Sequence, residues 1–299
     1  MNKLIDALGR MFDVEATADL LGYPFVQQAL LAAAALGLVS GVLAPLVVTR
    51  RMSFAVHGTA ELAFTGAAAA LLIGASVGVG ALAGAVVAAL LLGLLGQRDN
   101  ERDSVIGAIL SFGLGVGVLL LWMNPERTAN KFSLLVGQIV GVDSADVTLL
   151  TSCAAVVLVA MAFLYRPLLF ASVDPDVAAA RGVPARVLAP VFSLLVGVAT
   201  ALGVHVVGAL LVMALMVTPG AAAMRVTASP VTATILSVVF AEVAALGGIV
   251  LSLAPGVPVS AFVTVISFVI YLVCRGIGSA RPRRSVAPTA ARSGAQAVS

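Results

Sequence analysis

The stretch "RRMSFAVHGTAELAFTGAAAALL", residues 50–72, opens with two arginines and then runs mostly apolar to its end. After the arginines, its ionisable residues are His57 and Glu61, four positions apart. In a helix, residues at this spacing project from the same face. Ionisable residues inside a membrane span are costly to bury and are candidate functional groups by default. The stretch therefore predicts both a membrane crossing and a functional role for this pair.

The rest of the chain has the same apolar character. Of its 299 residues, 61% are hydrophobic and 10% are charged, and the mean hydropathy is +1.13. A soluble domain carries about 25% charged residues, so the composition excludes a water-soluble fold and predicts an all-α polytopic membrane protein. Cys153 and Cys274 lack metal-binding spacing and are interpreted as packing residues.

The uncharged runs predict nine helical crossings, within about one, because each crossing needs about 20 mostly apolar residues. They cover residues 23–49, 54–97 as two spans, 104–125, 147–165, 187–224 as two spans, 226–253 and 259–274. The domain organisation predicted is an interfacial segment at 1–22, a transmembrane domain at 23–275 and a disordered tail at 276–299.

The arginines predict the orientation of the chain. If the C-terminus is cytoplasmic, only Lys3, Arg10, Arg127 and Lys131 of the 17 basic residues fall outside. Because basic residues concentrate on the cytoplasmic side, this arrangement is the one the sequence favours.

Several function classes are disfavoured by what the sequence lacks. Neither of the two lysines follows a glycine-rich loop, so there is no phosphate-binding loop of the Walker type. No Ser-His-Asp or Cys-His arrangement is present, and the arginines form no nucleic-acid patch but are spread over the loops. The sequence therefore predicts neither an enzyme nor a nucleic-acid-binding protein.

The largest predicted cytoplasmic loop, residues 166–187, contains "DPDVAAARGV". Asp174 is placed as a helix cap, Pro175 at the first helical position and Gly182 just after the last turn. The pattern predicts an exposed helix of about two turns, which is either a docking surface for a soluble partner or a plain connector.

Three motifs together resemble the zinc/manganese family of ABC-type permeases, the ABC-3 family. They are "RRMSFAVHGTAELAFTG", "DPDVAAARGV" and "VVGALLVMALMVTPGAAAMR", and the likeness covers about residues 39–274. It implies a type II ABC importer-like permease of about 8–9 transmembrane helices in the bacterial plasma membrane. It also implies a homodimer, two separate ATPase subunits and an extracytoplasmic metal-binding protein. No intrinsic cofactor is implied, since zinc or manganese is the transported substrate.

Under this resemblance, the loop is the coupling helix that docks into the ATPase, and ATP is hydrolysed by that separate partner. The residues assigned to coupling are Asp174, Pro175, Asp176, Ala180, Arg181, Gly182 and Arg186.

The resemblance also bears on the opening pair. The family pattern has an acidic residue and, four positions later, a histidine, so His57 and Glu61 present the same two chemical types in reverse order. Imidazole and carboxylate both bind zinc and also accept manganese, and a twofold dimer would double the set. The structural alternative is that the two groups simply hydrogen-bond each other.

Two further residues are weaker candidates for the transport path. His205 lies at the predicted outer break between two spans, where it either samples metal or is a solvated or capping histidine. Glu242 lies in mid-span and faces either another helix or the lumen.

The function predicted is the permease subunit of an ATP-driven importer for a divalent transition metal, with zinc favoured over manganese. One alternative is an ion-coupled secondary transporter with His57, Glu61 and Glu242 as a relay; no inverted repeat supports it. An ABC permease for an iron chelate or haem needs no paired ligands, and a structural scaffold does not explain the docking-type loop.

Overall fold

The computed structural model describes residues 14–95, 99–124, 144–206, 208–209, 212–255 and 257–280; at residues 14, 93–95, 99–102, 144–146, 175, 185–186 and 205–206 it describes the backbone alone. Every long regular element in these ranges is a helix. The apolar runs become helices because a helix satisfies all its backbone hydrogen bonds within one segment, which lipid requires. In chain order they are α1 Val14–Leu21, α2 Pro24–Thr49, α3 Ser53–Leu72, α4 Val77–Leu95, α5 Asp99–Met123, α6 Ser144–Val173, α7 Pro175–Ala180, α8 Ala185–Val206, α9 Val212–Met216, α10 Thr218–Val226, α11 Pro230–Leu253 and α12 Val259–Ala280.

The predicted membrane fold is confirmed. Within the described residues, seven helices are long and apolar enough to cross a bilayer: α2, α3, α5, α6, α8, α11 and α12. Two shorter apolar segments, Val77–Leu92 and Val212–Val226, occupy the places of the other two predicted crossings. Within the described residues, each predicted apolar run is therefore mostly helical, although two of the runs form shorter helices than expected.

The second half of the predicted 187–224 pair is not one continuous helix. It is divided into α9 and α10 at Val217, whose φ and ψ of −126° and −49° lie outside the α-helical region. Pro219 in the first turn of α10 has no backbone N–H to donate to the preceding turn, so it favours the break. Gly220 then lies directly against the backbone of Ala44 and Pro45 in α2, where a Cβ has no room.

The connection between α6 and α8 is shorter than the predicted loop at 166–187. The helices on either side extend into this range, and Pro167 and Pro190 lie inside α6 and α8. Both helices continue because neighbouring side chains are packed into the core: Leu168 and Phe192 are each 0% exposed. Tertiary packing here outweighs the cost of a proline within a helix.

The helix α3 packs against four others, α4, α5, α8 and α9. It approaches α4 most closely at glycines, since Gly80 and Gly84 of α4 lie against the backbone of Gly66 and Leu62 with no space for a Cβ. Small residues four apart allow such close helix crossings in membranes. The glycines of this region therefore fix the position of α3.

Two predictions fall largely on residues outside the described ranges: the interfacial segment, of which residues 1–13 are not described, and the disordered tail, of which residues 281–299 are not described. The domain boundaries and the orientation of the termini stay predictions.

Candidate functional site

Glu61 is a buried carboxylate within a predicted membrane span. It lies two turns into α3, and its side chain is 1% exposed. Its Oε2 atom is buried and has no hydrogen-bond partner. Buried polar atoms are nearly always paired, so this carboxylate oxygen is available to bind a proton, a water molecule or a cation.

His57 lies one turn earlier on the same helix and is partly buried. Its Nδ1 atom is also buried without a hydrogen-bond partner. Nδ1 of His57 and Oε2 of Glu61 therefore do not satisfy each other, which weighs against the purely structural interpretation of the pair. One nitrogen and one oxygen on the same helix face are left for a ligand.

The neighbouring helix α5 has a glycine, and therefore no side chain, opposite the Cα–Cβ bond of Glu61 on α3. Gly113 faces this point, and a Cβ added there would lie 3.1 Å from Cβ of Glu61. Thr65 joins the two helices, because its hydroxyl donates to the carbonyl oxygens of Glu61 at 2.8 Å and of Gly113 at 2.6 Å. Neither Gly113 nor Thr65 was predicted from the sequence; the glycines of "SFGLGVG" were a signal, but their spacing does not say which one faces α3.

Within the described residues, no group of three or more His, Cys, Asp or Glu side chains could hold a metal ion. The pair on α3 therefore supplies two donors from one chain, whereas a structural zinc site has four. A metal at this pair needs further donors from water or from another chain.

Of the two weaker candidates, only Glu242 has a described side chain, and it lies apart from this pair. The backbone of His205 lies in the last turn of α8, and its side chain is outside the described residues. Glu242 lies on α11 against α2, where a Cβ at Gly37 would lie 2.8 Å from Oε1 of Glu242. That oxygen is also buried without a partner, but it lies in the α2–α11 interface rather than between α3 and α5.

The short helix α7 has the local geometry that the sequence predicted. Oδ1 of Asp174 accepts a hydrogen bond from the backbone N–H of Val177 at 3.0 Å, and Pro175 stands in the first turn. Gly182 has a φ of +77°, a conformation that L side chains rarely adopt. The helix has six residues, slightly under two turns.

One face of α7 packs against α6 and α8, and the residues on its other faces are exposed. Ala178 is 0% exposed and packs against the rest of the bundle, while Val177 is 42% exposed. Of the residues assigned to coupling, Asp176, Ala180, Arg181 and Gly182 are exposed as well; the side chains of Pro175 and Arg186 are outside the described residues. The loop thus presents a capped, rigid helix with an open surface.

The structure is thus a bundle of apolar helices that contains an unpaired His–Glu pair and presents an exposed loop helix. The sequence profile of the ABC 3 transport family matches residues 22–276, and the chain belongs to that family.

Curated relatives with a similar sequence include membrane proteins of bacterial manganese transport and import systems. The manganese transport system membrane protein MntC of Halalkalibacterium halodurans is 30% identical over 78% of this chain and 80% of its own length. The manganese import system permease protein ScaB of Streptococcus parasanguinis is 26% identical over 84% of this chain and 90% of its own length.

A solved structure shares the fold. PsaBC from Streptococcus pneumoniae in complex with Fab superposes with a TM-score of 0.79 at 23% identity, covering 88% of this chain and 95% of that one. The comparisons confirm the predicted class: the chain is a multi-pass membrane permease of a metal ABC transport family, not itself an enzyme.

Proposed function

We propose that this chain is the membrane-spanning subunit of an ATP-driven importer whose cargo is a divalent first-row transition metal. The observation that carries the proposal is the pair on α3: Nδ1 of His57 and Oε2 of Glu61 are both buried and without partners, one turn apart. A nitrogen and an oxygen donor on one face suit both zinc and manganese. In a member of a metal transport family, the pair is best explained as a transient metal-binding site along the transport path.

The cargo we would test first is manganese, with zinc as the alternative. The relatives MntC and ScaB are named for manganese, whereas the sequence had favoured zinc. A single imidazole does not decide between the two ions, because zinc takes nitrogen and oxygen ligands and manganese leans toward oxygen.

A second copy of the chain would complete the site. Two donors per chain become four around a twofold axis, which is a tetrahedral count for zinc. A transport path must also release its ion, so a weak, shared shell suits transport better than a closed site.

The remaining partners follow from the same proposal. Two ATPase subunits would dock on the exposed face of α7, and an extracytoplasmic binding protein would deliver the metal. The setting is the bacterial plasma membrane with a cytoplasmic C-terminus, and no nucleic acid is involved.

Uptake of radioactive manganese and zinc by cells that co-express the chain with its ATPase subunit tests the metal path. The double variant His57→Ala/Glu61→Ala should lose at least about 90% of uptake per folded molecule in the membrane, because ligand loss costs tenfold or more. The matched control is Ser237→Ala. It removes a different buried polar group without a partner, the hydroxyl of Ser237 on α11, and should keep full uptake. Full uptake by the double variant would end the metal-path proposal.

The docking role of the loop is tested at Gly182. Gly182→Val places a β-branched residue at φ +77° and should reduce both uptake and co-purification of the ATPase subunit several-fold. Gly182→Asn is the matched control, since asparagine tolerates this conformation, and it should stay close to the native chain. If the valine variant retains ATPase association and uptake, the loop is a connector.

A further inference from the structure

Arg50 directly follows the last residue of α2, and its side chain is hydrogen-bonded to the last two turns of α6. Its Nε donates to Oγ of Ser172 at 2.7 Å, and its Nη2 makes a longer hydrogen bond, 3.4 Å, to the carbonyl oxygen of Leu168. Ser172 donates in turn to the same carbonyl oxygen at 2.5 Å. The guanidinium thus holds the end of α6 at two points, which a lysine ammonium could not reproduce in this geometry.

A third helix contacts the same cation. The guanidinium carbon of Arg50 lies 5.1 Å from the ring centroid of Phe192 on α8, within the range of a cation–π interaction. Phe192 is 0% exposed, so the ring cannot turn away from the guanidinium without disturbing the core. One side chain therefore joins α2, α6 and α8.

The contacts of Arg50 lie between the docking loop and the helix that carries the His–Glu pair. Ser172 is two residues before Asp174, the cap of α7. On the other side, a tight turn leads from Arg50 to α3: Met52 N–H bonds to the Val47 carbonyl at 2.9 Å, and Arg51 has a φ of +54°. A displacement of the end of α6 therefore reaches the start of α3 through one side chain and a short, bonded turn.

We infer that Arg50 is a positioning residue that transmits movement of the docking helix α7 to α3 and its His57–Glu61 pair. The inference deepens the proposed function and rests on it. Helices α2 and α6 also pack directly, but apolar contacts can slide, whereas a guanidinium held at two oxygens and one ring has a fixed geometry. Loss of Arg50 should leave the ATPase subunits bound and active, but ATP hydrolysis should no longer drive metal transport efficiently.

The test measures metal ions transported per ATP hydrolysed in the chain purified with its ATPase subunits and reconstituted in vesicles. Arg50→Gln and Arg50→Lys should lower this ratio at least about fivefold, with ATP hydrolysis and subunit association within about twofold of the native complex. Ser172→Ala, a milder change, should lower the ratio less. The double variant Arg50→Gln/Ser172→Ala should equal Arg50→Gln alone, because both changes break the same contact.

The matched control is Arg51→Gln, which removes the same charge from the next residue, an exposed one, and should keep the native ratio. An unchanged ratio in Arg50→Gln overturns the inference. An equal fall of the ratio in Arg51→Gln also overturns it, because that result would indicate an effect of surface charge. A loss of subunit association in both Arg50→Lys and Ser172→Ala overturns it as well, because that result would indicate a purely structural role. Failure of the native complex to transport either metal would instead refute the proposed function.

Discussion

Glu61 and Glu242 are two carboxylates in predicted membrane spans, and both have an oxygen without a partner. They differ in their surroundings. Glu61 is 1% exposed on the helix α3, one turn from an imidazole with an equally unpaired nitrogen. Glu242 is partly exposed and fits against a glycine of α2, with no imidazole beside it among the described residues. A second unpaired donor on the same helix face distinguishes Glu61 from Glu242, and for this reason Glu61 rather than Glu242 is the one we propose for the metal path.

Removing one charge at a time gives the largest expected contrast. Glu61→Gln keeps the size of the side chain but weakens a metal donor, so uptake of both metals should fall at least about tenfold. Glu242→Gln should leave uptake within about twofold, since no second His, Cys, Asp or Glu forms a pair with it among the described side chains. Uptake rates normalised to membrane abundance measure both variants. Equal losses in the two variants would show that Glu242 also belongs to the path.

A change of donor type at His57 should have a smaller and more selective effect. His57→Asp replaces nitrogen by oxygen, so the ratio of manganese to zinc uptake should rise about threefold to tenfold. Competition between the two ions in one uptake assay measures the ratio directly. An unchanged ratio would mean that His57 does not touch the cargo, and the contrast between Glu61 and Glu242 would then rest on burial alone.

The smallest effect is expected from the packing around Glu61. Gly113→Ala would place a Cβ 3.1 Å from Cβ of Glu61, and this crowding should lower stability by about 1 kcal/mol and uptake by about twofold to fivefold. Gly115→Ala, on the same helix with nothing within 4 Å of the new Cβ, is the matched control and should change neither. Thermal unfolding in detergent and uptake assays check the pair. Identical behaviour of the two variants would show that the packing at Gly113 does not position Glu61.

The sequence by itself determined the features that depend on short stretches of chain. Uncharged runs predicted the membrane crossings, because the cost of exposing polar groups to lipid is local to each segment. The Asp174 cap and the position of Gly182 just after the last turn were predicted for the same reason, since capping involves only a few adjacent residues. The spacing of His57 and Glu61 placed them on one helix face before any neighbour was known.

Only the tertiary structure decided which residues of different helices meet. Hydropathy does not specify the register between helices, so the sequence could not show that Gly113 faces Glu61, or that Glu242 fits against Gly37 instead of joining the pair. In the sequence, nothing distinguishes Arg50 from the other basic residues. In the folded chain, its guanidinium contacts Ser172 and the ring of Phe192. The helices continue through Pro167 and Pro190 because their neighbours are packed into the core. Contacts of this kind depend on the whole bundle, which no local pattern encodes.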